Sequence, residues 1–125
     1  MQFEVNIFGL ARLTQLVLPY MRKQNSGCII NVGSMGGRLT SYFGAWYHAT
    51  KYALEAFSDG LRMEVSDYGI DVSIIEPGGI KTDWGFIAAD KLAESAKGGA
   101  YEVAATKAAE GMRKQYSGNM MSNPK

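Results

Sequence analysis

Two short runs rich in β-branched residues, Cys28-Ile-Ile-Asn-Val32 and Asp71-Val-Ser-Ile-Ile-Glu76, each follow a long helical pattern through a glycine-containing turn. No other feature of the chain limits its fold as tightly. Strand, helix and strand joined in this way make a βαβ unit, and a right-handed crossover leaves the two strands parallel. A parallel sheet normally has several strands and helices on both faces. Two strand runs in 125 residues are therefore few. The chain reads as α/β, either a piece of a larger doubly wound parallel sheet flanked by helices or a small domain that completes its sheet by oligomerisation.

The first helical pattern covers residues 2–24. Phe3, Ile7, Leu10, Leu13 or Thr14, Val17 and Met21 form one apolar stripe, while Phe8, Leu16 and Leu18 add apolar surface elsewhere. A helix apolar on more than one side needs cover on more than one side. A sheet could supply one cover and a second subunit the other. Arg22 and Lys23 suit a helix C-terminus, and Asn25-Ser26-Gly27 is a stop signal. The pattern begins at residue 2 with no strand or cap before it, as expected of a chain that starts inside an element.

The second helix is predicted over 45–67, with Ala49, Ala53, Ala56, Phe57, Leu61 and Val65 on its packing side and Asp67-Tyr68-Gly69 as its end. Strand one is predicted to be buried, with Cys28 a packed residue within it. Further helices are expected over 83–96 and 101–116, split by Gly98-Gly99, before a polar, loose tail over 117–125.

Composition narrows the function classes. Apolar residues make up 46% and charged residues 20%, ordinary values for a globular protein, so disorder of the whole chain is not expected. A net charge of +1 gives no electrostatic case for nucleic acid or an anionic membrane. The one cysteine excludes an internal disulfide, and with no secretory segment in view the expected compartment is cytoplasmic. No apolar run reaches the about 20 residues of a membrane span; residues 10–21 are interrupted by Arg12, Thr14, Gln15 and Pro19. No metal-ligand cluster and no phosphate-cradling Walker loop is present.

The chemistry is expected at one edge of the sheet. In open α/β sheets, ligands bind beyond the carboxyl ends of the strands. Ser34 lies two residues past strand one, in a loop from Gly33 to Gly44 that carries four glycines. Pro77-Gly78-Gly79 follows strand two. Tyr47 and Lys51, four residues apart in Tyr47-His-Ala-Thr-Lys51, share a face at the start of helix two. A free phenol ionises only near pH ~10. A neighbouring ammonium and a helix N-terminus both stabilise its phenolate. A serine hydroxyl can hold a carbonyl oxygen as that oxygen gains negative charge. These groups together suit reversible reduction of a ketone or aldehyde, with the hydride supplied by a cofactor.

The same segments resemble the C-terminal, catalytic half of the short-chain dehydrogenase/reductase family. The matching residues are Asn6 in VNIFG, Ser34 in IINVGSMGG, Tyr47 and Lys51 in YHATK, and PGGIKTD from Pro77 to Asp83. The likeness runs over about residues 2–85 and implies a partial Rossmann-like fold: a single incomplete domain over 1–125, with a catalytic core segment at 2–82 and substrate-lid and C-terminal helices at 83–125. It implies Tyr47 as general acid and base, Lys51 as the cation that favours its phenolate and binds the nicotinamide ribose, and Ser34 as the anchor of the substrate oxygen. Asn6 would hold a water that extends a proton relay to Lys51. Tyr47, Lys51, Pro77, Gly78, Ile80 and Thr82 would contact NAD or NADP.

The family's Gly-rich TGxxxGxG turn, its NAD/NADP-selecting residue and its NNAG stretch have no counterpart in the chain. That turn holds the pyrophosphate, so weak or no turnover is expected from this polypeptide alone. Trp84, Phe86, Ile87 and Leu92 suggest an apolar alcohol or carbonyl substrate, though core packing explains them equally well. In the family, the equivalents of helices 2–24 and 45–67 form subunit contacts, which implies a homo-oligomer; the alternative function is a non-catalytic oligomerisation module or a gene fragment. Plainer readings stand beside the catalytic ones: Asn6 as an amide tying its helix to a neighbouring loop, Thr82 as a helix cap, His48 as a partly exposed helix residue.

Overall fold

A computed structural model describes residues 1–119 and 121–124. The chain divides into two compact units, Met1–Pro77 and Gly78–Lys125.

The first unit opens with a π-helical turn, Glu4–Phe8, closed by a hydrogen bond from the Gly9 amide back to Glu4 O, and runs on as α1, Gly9–Lys23. Strand β1 is Gly27–Val32, helix α2 is Ala45–Val65 and strand β2 is Ile70–Ile75. The strands pair in parallel, from Gly27 opposite Ile70 to Val32 opposite Ile75. The βαβ order expected from the two β-branched runs is thus present, with β1 starting one residue earlier and β2 shifted one residue earlier at both ends. Gly69, at φ 63°, supplies the left-handed turn between α2 and β2; a side chain there would also meet the Asn25 carbonyl.

The core lies between the sheet and α2. Leu61, Val65, Ile70 and Val72 are buried, with Leu18, Met21, Ile29 and Phe57 packed against them. Above this apolar cluster, α2 buries polar groups: His48, Thr50, Glu55 and Ser58 are all inaccessible or nearly so. Ser58 Oγ accepts a hydrogen bond of 2.8 Å from Asn31 Nδ2 on β1, which satisfies both groups away from water.

Three expectations need correction. Ala49 and Ala56 face out, and the packing side of α2 instead runs through His48, Leu54, Glu55, Ser58, Leu61 and Val65. The helix carries two stripes; the alanine stripe is more uniformly apolar, but the one facing the sheet mixes polar groups with leucines. On α1, where the stripe admitted Leu13 or Thr14, Thr14 is the buried one. Strand β1 is buried on one side only, with Ile30 and Val32 more than half exposed and Cys28 also exposed. A parallel strand needs cover on both faces to be buried, and within this unit α2 covers one.

The second unit is a helical hairpin, α3 (Trp84–Ser95) and α4 (Glu102–Ser117). Fully buried Ala89, Ala105 and Ala109 let the helices approach closely. The Tyr116 ring meets those of Trp84 and Phe86, and Arg113 pairs with Asp90 at 2.6 Å. In the tail, Ser122 forms a parallel bridge with Ile80, its carbonyl accepting from Lys81 N at 2.9 Å. The expectation of a loose tail also covers Met120 and Lys125, which lie outside the described residues.

Candidate active site

The site is built where both strands of the first unit end. The Gly33 amide donates to Ile75 O at 2.8 Å and so extends the parallel ladder one step past β1. Ser34 is extended (φ −171°) and caps a single 3₁₀ turn, Met35–Gly37, its Oγ accepting from Gly36 N at 3.1 Å. The next amide, Met35 N, donates to Pro77 O at 3.1 Å. The turn after β1 is thereby tied to Pro77, two residues past β2.

Helix α2 begins at Ala45 and brings Tyr47 and Lys51 to this turn. The Tyr47 hydroxyl donates to Ser34 Oγ at 3.2 Å. Lys51 Nζ donates to Gly33 O at 3.4 Å and sits 6.0 Å from the centre of the Tyr47 ring. Lys51 is partly buried, and that burial lowers its pKa from the ordinary lysine value. A phenol, an ammonium and a hydroxyl are therefore gathered around one turn. Gly36 makes this possible: a Cβ there would stand 2.9 Å from Tyr47 Cε1.

Asn6, inside the π-helical turn, donates from Nδ2 to Thr50 Oγ1 at 3.0 Å. Thr50 Oγ1 in turn donates to Tyr47 O at 2.8 Å. The amide thus ties its helix to α2, one residue short of Lys51, and not to a loop. Pro77 belongs to the same unit. Gly78, Ile80 and Thr82 belong to the second, where Ile80 bridges to Ser122 and Thr82 is exposed. Thr82 is not the cap of α3; Asp83 holds that position, and no side chain bonds there.

Sequence reasoning passed over two groups that hold the site, Thr50 and Glu55, and read a third, His48, as a partly exposed helix residue. His48 is buried, with Nδ1 2.9 Å from Gly36 O and Nε2 2.8 Å from Ser41 Oγ. Thr50 is wholly buried and links Asn6 to the Tyr47 backbone. Glu55, also buried, places a carboxylate oxygen 3.1 Å from Arg38 Nη2, and the same nitrogen lies 2.9 Å from Glu76 Oε1. Neither Glu55 oxygen makes an aligned hydrogen bond. Burial raises the Glu55 pKa, the neighbouring Glu76 carboxylate raises it further, and Arg38 opposes them. The available signal was periodicity: positions 48, 51, 55 and 58 fall on the face of α2 that carries Leu54, Leu61 and Val65.

Among the described residues no cluster of His, Cys, Asp and Glu could hold a metal ion, and no helix is long and apolar enough to cross a membrane.

Residues 1–91 match the family model for short chain dehydrogenases. The chain is 50% identical over 80 residues to 17-beta-hydroxysteroid dehydrogenase type 6 of Rattus norvegicus, covering 64% of this chain and 25% of that protein. It is 42% identical over 83 residues to a probable short-chain type dehydrogenase/reductase, VdlC, of Helicobacter pylori, covering 66% of this chain and 31% of the relative. The crystal structure of a gluconate 5-dehydrogenase from Burkholderia cenocepacia, in complex with NADP and tartrate, superposes with a TM-score of 0.62 at 27% identity, covering 80% of this chain and 36% of that one. The chain spans only a quarter to a third of the curated relatives it matches here. With the paired strands and the Ser34–Tyr47 contact in view, these matches place the chain in the short-chain dehydrogenase family, as a partial Rossmann-type sheet with its flanking helices.

Proposed function

We propose that this chain carries the catalytic part of an NAD(P)-dependent oxidoreductase that interconverts an alcohol with a ketone or aldehyde, and that it works with a dinucleotide-binding half of the kind its longer relatives have room for. The observation that carries the reading is the 3.2 Å contact from the Tyr47 hydroxyl to Ser34 Oγ beside the Lys51 ammonium. In reduction, Tyr47 gives its proton to the oxygen of the substrate; in oxidation it takes one back. Lys51 stabilises the phenolate left behind. Ser34 holds the substrate oxygen as it becomes an alkoxide. Asn6 fixes the helix next to Lys51 and would hold the water that passes the proton onward.

A nicotinamide cofactor supplies the hydride when bound. The donor set fits its ribose: a tyrosine hydroxyl and a lysine ammonium stand together at the N-terminal part of α2. Pro77, in the same unit, is proposed as a further cofactor contact, and Gly78, Ile80 and Thr82 of the second unit are proposed as contacts on the family resemblance alone. The substrate is an alcohol or carbonyl compound. The test joins the chain to the N-terminal half of a relative and follows reduced nicotinamide absorbance over a carbonyl panel. Turnover that is lost in Tyr47→Phe supports the assignment; turnover that survives it refutes the mechanism.

A second reading is favoured by the exposed faces of the two long helices. Phe8, Leu13, Leu16 and Tyr20 lie exposed on the first, and Trp46, Tyr52 and Met63 on the second. Such a surface fits association with another copy of the chain or a full-length relative. Light scattering separates the two: a stable monomer counts against the association role.

A further inference from the structure

The chain has one histidine, His48, and it is buried next to Tyr47 with both ring nitrogens engaged. A carbonyl oxygen can only accept, so the 2.9 Å contact to Gly36 O requires a proton on Nδ1. The Ser41 amide can only donate, and it points at Nε2 from 3.0 Å, so Nε2 carries a lone pair. The two contacts together select the neutral tautomer protonated on Nδ1. Ser41 Oγ, 2.8 Å from Nε2, donates to the same lone pair.

Both partners belong to the loop that carries Ser34. Gly36 sits in the 3₁₀ turn, where its amide donates to Ser34 Oγ while its carbonyl receives the imidazole proton. Ser41 lies further on, and its carbonyl accepts from Gly44 N just before α2 begins. The imidazole therefore pins two points of one loop to the helix that presents Tyr47. The glycines record how close this packing is: a Cβ on Gly44 would stand 2.6 Å from the His48 ring, and one on Gly36 3.3 Å from Nδ1.

We propose that His48 is a positioning residue for the reaction assigned above, a neutral clasp that holds the Gly36 and Ser41 ends of the loop so that Ser34 stays aimed at Tyr47. This rests on the reading of Ser34 and Tyr47 as the reaction centre. His48 touches neither substrate nor cofactor in this role. It acts through the Gly36 residue, which joins the imidazole on one side to Ser34 Oγ on the other.

The first test needs no turnover. With a single histidine, ¹⁵N-histidine labelling of the chain gives one imidazole spectrum. At neutral pH the expected pattern has a protonated Nδ1, an unprotonated Nε2, and a Ser41 amide protected from solvent exchange. A ring protonated on Nε2, or one averaging between tautomers, overturns the clasp. The second test uses the active form, joined to a relative's N-terminal half. Asn at 48 can keep the Gly36 contact, Gln can keep the Ser41 contact and Phe keeps neither. His48→Phe is expected to lower kcat by about a hundredfold, the scale of an ångström-sized misplacement, with KM nearly unchanged. His48→Asn and His48→Gln should each recover part of that loss. Equal kcat in all folded variants would overturn the positioning role. Absence of turnover alongside the expected imidazole spectrum would refute the oxidoreductase reading and the rate effect with it, while an Nε2-protonated ring refutes the clasp alone.

Discussion

The Tyr47 hydroxyl reaches Ser34 Oγ across 13 residues of sequence, at 3.2 Å. Neither residue is placed by the other. Ser34 is fixed by capping the turn after β1, and Tyr47 by the start of α2. Two side chains positioned by separate elements and still in hydrogen-bond contact form a preorganised pair. Replacing Tyr47 with Phe removes the proton donor and leaves the ring. On the proposed function, turnover of the chain joined to a relative's N-terminal half should fall by about 10²–10⁴-fold, the range for loss of a general acid–base group. Stability should change by no more than about 1 kcal/mol, the net value of one ordinary hydrogen bond. Steady-state kinetics and thermal unfolding on one preparation check both.

Lys51 gives the second prediction, in which stability and activity part company. Burial lowers its pKa, so from that lowered value up to the ordinary lysine value the unfolded chain binds more protons than the folded one. Its contribution to stability therefore rises with pH through this alkaline window and is unfavourable below it. Lys51→Met removes a partly buried charge and keeps the aliphatic stem. The variant should unfold at the same or a higher temperature at neutral pH, with a flatter alkaline limb. Its turnover should fall by at least about a hundredfold, because no cation remains to stabilise the phenolate. Thermal scans across pH, compared with kcat/KM, read out both halves.

The degree to which this site was legible in the sequence follows from the range of the forces involved. The βαβ order could be read because β-branched runs and glycine stops are local signals. Ser34, Tyr47 and Lys51 could be located because strand ends and helix starts fix the sheet edge. The buried face of α2 could not be read from apolarity alone. Ala49 and Ala56 look like core, yet they are exposed, while His48, Thr50 and Glu55 look like surface and are buried. Their burial is compensated by partners far along the chain or in a loop: Gly36, Asn6 and Arg38. Such pairings carry no periodicity, and a polar residue in a sequence does not announce the partner that lets it leave water. The cover on β1 was misjudged for a related reason, since a strand's own residues do not say which of its faces meets a helix.

Gly37 yields a third prediction about how loop and helix fit. A Cβ at this position would stand 2.9 Å from the Lys51 carbonyl and 2.9 Å from Glu55 Cγ. The first obstacle is backbone and cannot rotate away. Gly37→Ala must therefore push the 3₁₀ turn off α2, at a cost of about 1–3 kcal/mol in stability. The displaced turn carries Ser34, so activity should fall together with stability. Gly111→Ala is the control: nothing lies within 4 Å of a Cβ there, and Gly111 is inside α4. It should be neutral or stabilising by up to about 1 kcal/mol. Chemical denaturation of the two variants distinguishes a packing cost from a general effect of replacing glycine.

Glu55 makes the stability of the fold depend on pH with a definite sign. Its carboxylate is buried against Gly33 and Gly37, with Arg38 as its ion-pair partner and Glu76 sharing that partner. Burial first, and then Glu76, raise its pKa above the ordinary carboxylate value, while Arg38 pulls the other way. From the ordinary value up to the raised one, the folded chain holds a proton that the unfolded chain has released. Stability from this group is therefore fully present below that window and is lost as pH rises through it. The slope cannot exceed one proton, about 1.4 kcal/mol per pH unit. Glu55→Gln keeps the shape, removes the titration and should flatten this fall. Arg38 then has only Glu76 to pair with. Arg38→Met should do the reverse: it strands the Glu55 charge, moves the loss of stability to still higher pH, and steepens the total drop. Urea unfolding of the three proteins from mildly acidic to neutral pH decides the matter. Parallel curves for wild type and Glu55→Gln would show that Glu55 does not titrate in the folded state as described.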